Sequence, residues 1–178
     1  FFSLILVSAA SAITRIMPLG DSITKGGGSG ETDTTIQVSY RKALWDKLLA
    51  AGYEVDFVGS LQAGQDTDPD FDPDHEGHAA WRDDEIADNI YDWLGLNPAD
   101  IILLHIGTNG LDIYSGDVEN ILDEIDRYED DYTAEITVIL ARIINRIDHV
   151  CTNGSITTTF NDNVEDMAQD RIDDPSNP

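Results

Sequence analysis

The segment Asp100–Ile106 reads Asp-Ile-Ile-Leu-Leu-His-Ile, an almost unbroken apolar run with Pro98 just before it and Gly107 just after. It is too short for a buried helix and does not alternate as a half-wet strand would. A strand of this kind is buried on both faces, which is the environment of a parallel sheet. Further runs support that reading. Ile13–Leu19, Glu54–Val58 and Ile136–Ile144 also read as strands, the last being the most apolar.

Helical patterns lie between them. Ser39–Ala51 places Leu44, Leu48 and Leu49 on one face and stops at Gly52. Asp83–Leu94 turns Ile86, Ile90, Trp93 and Leu94 inward, with acids at its N-terminus where the helix dipole favours them. Val118, Ile121, Leu122, Ile125 and Tyr128 recur at a helical period. Phe160, Val164, Met167 and Ala168 mark a last helix ending near Ile172. Strands alternating with helices predict an α/β domain with a parallel sheet and right-handed crossovers. No internal repeat or interdomain linker is visible. The segment Ser60–Ala80 reads as one long loop.

The length of 178 residues fits one domain. The expected organisation is residues 1–12 as a partial signal peptide and 13–178 as the folded domain. Phe1–Ala12 is apolar and ends Ala10-Ser11-Ala12, a small-residue cleavage signature. Secretion is therefore expected, with an added edge strand or helix as the other reading. The run is too short to span a bilayer. Ten basic residues face thirty-five acidic ones, for a net charge of −25. Such a chain repels nucleic acid and anionic membrane, and its substrate is expected to be neutral or cationic. Cys151 is the single cysteine, so no internal disulfide is possible.

The chemistry begins at Ile16-Met17-Pro18-Leu19-Gly20-Asp21-Ser22-Ile23-Thr24, where an apolar strand ends in glycine, acid and serine. A serine leaving a sheet there presents its hydroxyl to a crevice, but it needs a base to act as a nucleophile. Gly20-Asp21-Ser22 resembles the first block of the GDSL/SGNH hydrolases. Phe57-Val58-Gly59-Ser60 resembles that family's glycine block, and Gly107-Thr108-Asn109 its asparagine block, in the right order. The resemblance implies a three-layer flavodoxin-like fold with strand order 2-1-3-4-5. Ser22 and Asn109 would then meet at the point where the strand order reverses, which is where such sheets bind ligands.

The resemblance also implies roles. Ser22 is the nucleophile of a carboxylic-ester hydrolase. The Ser22 and Gly59 N–H groups and the Asn109 amide hold the oxyanion, where each donor is worth ~3–4 kcal/mol. Asp21 shapes the turn. Gly110 stands where the family has Asp. The family's histidine lies in an Asp-x-x-His block after a fifth strand, and nothing here matches it. The expectation is a chain incomplete at both ends, with sheet order 2-1-3-4 and an exposed apolar edge, inactive by itself.

The four histidines of the chain are the candidates to replace the family's histidine. His105 reads as a core residue before it reads as a base. His75 and His78 lie in Asp74-His75-Glu76-Gly77-His78-Ala79-Ala80-Trp81-Arg82. This segment resembles the family 3 carbohydrate esterases, which implies substrate-rim roles for His78 and Trp81 and an acylated carbohydrate, such as acetylated xylan, as substrate. The alternative is a loop that packs its tryptophan. His149 reads as a solvated turn residue. Asp66, Asp68, Asp70, Asp72 and Asp74 alternate as in a calcium loop, but Phe71 stands where that loop needs glycine. No metal or cofactor is expected. Gly26–Gly30 lacks the Gly-Lys-Ser/Thr of a phosphate loop and reads as a mobile rim. A short-chain lipid ester is the second substrate class. The rival functions are a non-catalytic glycan-binding module of the same fold and a flavodoxin-like nucleotide binder.

Overall fold

The computed structural model describes residues 13–27, 31–144 and 154–174. The expected signal peptide, Gly28–Gly30 of the glycine run, His149, Cys151 and the last four residues lie outside them.

The first strand, β1 (Thr14–Gly20), is the axis of the sheet. On one side it pairs in parallel with β5 (Ile101–His105), from Ile16↔Ile101 to Gly20↔His105. Beyond β5 lies β6 (Thr137–Leu140), also parallel. On its other side β1 pairs with β2 (Val55–Phe57) along its first half only. These four parallel strands have the expected order 2-1-3-4 and the family's topology.

The expected loop Ser60–Ala80 is in part sheet. β3 (Leu61–Gln62) and β4 (Asp74–Gly77) form an antiparallel hairpin. β4 takes over the second half of the β1 edge, with Leu19↔Glu76 and Gly20↔Gly77 in parallel register. Its polar sequence hides it because this strand is held by backbone pairing, against low intrinsic propensity. The substitution of β4 for β2 is what brings His75–His78 to the carboxyl end of β1.

The principal core lies on one face of the sheet. Met17 and Leu19 of β1 and Ile102 and Leu104 of β5 point the same way, as period-two alternation requires. They pack against α3 (Asp83–Ala87), α4 (Ile90–Leu96), α5 (Gly116–Tyr132) and α6 (Gly154–Asp173). α5 buries Val118, Ile121, Ile125 and Tyr128, the face its periodicity predicts. The expected continuous helix 83–94 is broken in two. The Asn89 side chain donates to the Glu85 carbonyl at 2.9 Å, taking the acceptor that helix continuation would give to the Asn89 N–H.

On the opposite face lie the four-residue α1 (Ser22–Lys25) and α2 (Ser39–Ala50). Here the leucine stripe is not buried as expected, since Leu49 is 50% exposed. The one fully buried side chain of α2 is Arg41. Its guanidinium donates to the carbonyls of Thr24, Lys25, Gln37, Ala63 and Pro73 at 2.9–3.2 Å. β6 is shorter than the apolar run predicts, and Ile139 is 53% exposed. An apolar trough of ≈ 400 Å³ runs between α2 and the sheet, past Leu44, Leu103 and Ile139. No described helix is long and apolar enough to cross a membrane.

Candidate active site

Ser22 opens α1, two residues past the end of β1, and Asn109 follows β5 by four residues. Because Gly20 and His105 are register partners, both loops leave the sheet at the same end of adjacent strands. Gly59 reaches the same end by a different route. It follows β2 and lies against the backbone of β4, where a Cβ built on it would meet the His75 carbonyl carbon at 2.2 Å. Since Glu76 of β4 is the partner of Leu19, Gly59 stands beside the end of β1. The three expected site residues therefore converge.

Local geometry prepares each of them. Asp21 is fully buried and caps α1, its Oδ1 accepting from the Ile23 N–H at 2.8 Å. Burial, opposed by that hydrogen bond, raises its pKa above the usual carboxylate range. Asp21 thus shapes the turn, as expected. No partner among the described residues takes the Ser22 or Gly59 N–H, so both remain available as donors. One N–H of the Asn109 amide is committed to the Trp81 carbonyl at 2.9 Å. This fixes the side chain and leaves its second N–H to donate elsewhere. A small cavity of ≈ 70 Å³ adjoins it, lined by Gly107, Asn109, Arg82, Asp83 and Asp117 among others. Gly107 has φ +111, and a Cβ there would enter the Phe160 ring at 2.4 Å, so α6 packs directly on the asparagine loop.

The histidines are placed as follows. His75 is fully buried, and desolvation lowers its pKa to about 3. Its Nδ1 accepts from the Gly77 N–H at 2.9 Å. His78 clusters with two indoles, its centroid 4.4 Å from Trp81 and 4.4 Å from Trp93, the latter nearly parallel at 7°, and the indoles lie 5.8 Å from each other. Its Nε2 donates to Glu76 Oε1 at 2.6 Å. His105 sits on the sheet face toward α2, with its Nδ1 buried. Among the described residues no histidine is hydrogen-bonded to Ser22. Nor does any group of three His, Cys, Asp or Glu residues there have the arrangement of a metal site.

Two features escaped the sequence reading. Glu76, fully buried, accepts from Ser60 through both its N–H and its hydroxyl, each at 2.7 Å. Arg41 ties the loop after β1 to the segment leaving β3 and the one entering β4. A glutamate between two histidines and an arginine in Tyr40-Arg41-Lys42 carry no local signal of burial.

No protein-family model and no curated protein matches the chain. Solved structures do. A family 3 carbohydrate esterase from Clostridium thermocellum is 31% identical, over 90% of this chain and 73% of that one, with a TM-score of 0.74. A carbohydrate esterase family 3 protein from Talaromyces cellulolyticus is 24% identical over 88% and 97% of the two chains, with a TM-score of 0.55. An acetyl esterase mutant with acetate ion is 21% identical over 88% and 97%, with a TM-score of 0.54. The last two likenesses bear on the fold alone.

Proposed function

The chain belongs to the GDSL/SGNH hydrolase family, and from that premise we propose that it is a serine esterase that removes acyl groups, acetyl first among them, from carbohydrate. Ser22 Oγ attacks the ester carbonyl. Its proton passes to a base, the tetrahedral intermediate expels the alcohol, and water then releases the acid from the acyl-enzyme. The oxyanion is held by the Ser22 and Gly59 N–H groups and the free N–H of Asn109. This reading assigns the base to none of the described histidines. Trp81, half-buried beside Asn109, is assigned as the ring facing the sugar, with His78 packed against it at a tilt of 30°.

The observation that carries this reading is the convergence of Ser22, Gly59 and Asn109 at one end of β1, with two backbone donors unclaimed and the third donor oriented. The net charge of −25 favours neutral or cationic esters over uronate-rich ones. The apolar stretch Phe1–Ala12 supports an activity outside the cell in this reading.

In the natural full-length protein, Ser22→Ala should abolish hydrolysis of p-nitrophenyl acetate and acetate release from acetylated xylan. Undiminished hydrolysis would overturn the assignment. Glycan binding without any Ser22-dependent hydrolysis would favour the non-catalytic module instead.

A further inference from the structure

We infer that Glu76 and His78 are positioning residues, a buried brace that holds the oxyanion donors of the site in mutual register. The kinetic part of the argument rests on the esterase reading, and the geometric part does not.

His78 is the hub. Its backbone N–H donates to the Gly20 carbonyl at 2.8 Å, two residues before Ser22. Its ring nitrogen reaches Glu76 at 2.6 Å. The two oxygens of Glu76 in turn hold Ser60, the neighbour of Gly59, by its N–H and its hydroxyl. The His78 ring packs against both Trp93 and Trp81, whose own centroids are 5.8 Å apart, so the three rings form one cluster. The Trp81 carbonyl is the acceptor that orients Asn109. The brace thus reaches Ser22 through Gly20, Gly59 through Ser60, and Asn109 through Trp81.

The chemistry favours fixity over exchange. Glu76 is wholly buried and the His78 side chain is 13% exposed, so water does not compete for these bonds. Glu76 accepts three hydrogen bonds, from Ser60 twice and from His78 once. A carboxylate is the side chain that can accept all three with two oxygens, whereas an amide has one acceptor oxygen. Donors aimed in advance at a developing oxyanion act mainly in the transition state, so slackening them lowers turnover more than it changes substrate binding.

The test is Glu76→Gln, read first by NMR on the ¹⁵N-labelled chain. Among the described residues no hydrogen bond joins Asn109 to Glu76. The brace nevertheless predicts that the Asn109 side-chain amide and the Gly59 backbone amide both shift and exchange ~10-fold faster, while the amides of α5 stay in place. Changes confined to Ser60 and His78 would overturn it. Should Glu76→Gln not fold, Trp93→Leu removes the ring stacked on His78 and must move the same two amides, or the inference falls. In the full-length protein, Glu76→Gln should lower kcat by ~10-fold or more with KM within ~2-fold. A raised KM at unchanged kcat would make these residues substrate contacts and overturn the brace. Absence of Ser22-dependent hydrolysis in the unmutated protein would remove the esterase reading, and the NMR comparison would still decide the brace.

Discussion

Arg41 of α2 donates through Nε to the carbonyl of Thr24, at the end of the turn that carries Ser22, at 3.1 Å. The remaining nitrogens of the same guanidinium serve four more carbonyls, from Lys25 to Pro73. No carboxylate is bonded to it among the described residues. A buried charge is costly unless every donor is used. Here the rigid fork of five N–H groups satisfies carbonyls of the irregular loops around the site, one of which, that of Pro73, also accepts from the Ala63 N–H at 3.2 Å. Burial lowers its pKa to about 10, so it is still charged at neutral pH.

The consequence is that Arg41→Met should be among the most destabilising single changes in the chain. Each carbonyl left buried and unpaired costs about 1–3 kcal/mol, so a loss of at least about 3 kcal/mol is expected. Arg41→Lys recovers little of it, because an ammonium on one stem cannot span five acceptors. Urea unfolding measures this. A loss below about 1 kcal/mol would show that the loops satisfy themselves.

His75 predicts an acid-sensitive fold. Its pKa is about 3 in the folded chain against 6.5 unfolded, because burial disfavours the cation. Between those values the unfolded state binds the proton and the folded state does not. Stability therefore falls as pH drops through this window, by up to about 1.4 kcal/mol per pH unit. From pH 6.5 to 5 the loss from this group should approach about 2 kcal/mol. His75→Asn keeps an acceptor for the Gly77 N–H and removes the titration. Denaturant curves of the two proteins should converge as pH falls from 7 to 5. Parallel curves would mean that His75 is protonated within the fold. Below pH 5 burial-raised carboxyls such as Asp21 and Asp72 oppose the trend, because they take up protons more readily folded than unfolded.

The parts of this fold that a reader of the sequence finds are those written in local periodicity. β1, β5 and α5 are there in their apolar spacing, and Gly20-Asp21-Ser22, Gly59 and Gly107-Thr108-Asn109 mark the ends of strands. The parts that stay hidden depend on partners far along the chain. Arg41 reads as a wet helix position until Ala63 and Pro73, 22 and 32 residues away, are seen to need its donors. Glu76 reads as one acid among many until Ser60 is placed against it. Asn89 reads as a helix residue, and only its side chain's competition for the Glu85 carbonyl divides α3 from α4.

The charge makes a prediction of its own. At −25, like charges crowd the whole surface, and ion pairs such as Arg15–Asp100, with side chains 41% and 40% exposed, offset little of that repulsion. Salt that screens beyond ~10 Å at 0.1 M relieves the self-repulsion at the expense of few strong pairs. Raising NaCl from 0.02 to 0.5 M should raise Tm by several degrees. An unchanged or lower Tm would show that the surface ion pairs outweigh the repulsion.

Gly59 and Gly52 separate close approach from backbone strain. Gly52 has φ +83 and open space around its Cβ direction. Gly52→Ala should cost about 1 kcal/mol of strain and leave any Ser22-dependent hydrolysis intact. At Gly59 the obstacle is backbone. The added carbon would stand 2.2 Å from the His75 carbonyl carbon, 2.3 Å from its oxygen and 2.8 Å from the Glu76 nitrogen. Those atoms belong to β4, which is paired to the end of β1 and cannot retreat without disturbing the strand that leads to Ser22. The loop must move instead, taking the Gly59 N–H away from the oxyanion. Loss of one such donor costs roughly 10²–10³-fold in kcat. Gly59→Ala should approach that loss in the full-length protein, with KM little changed, while the Gly52 variant serves as control. If Gly59→Ala keeps full turnover, its N–H is not an oxyanion donor, and the site rests on Ser22 and Asn109 alone.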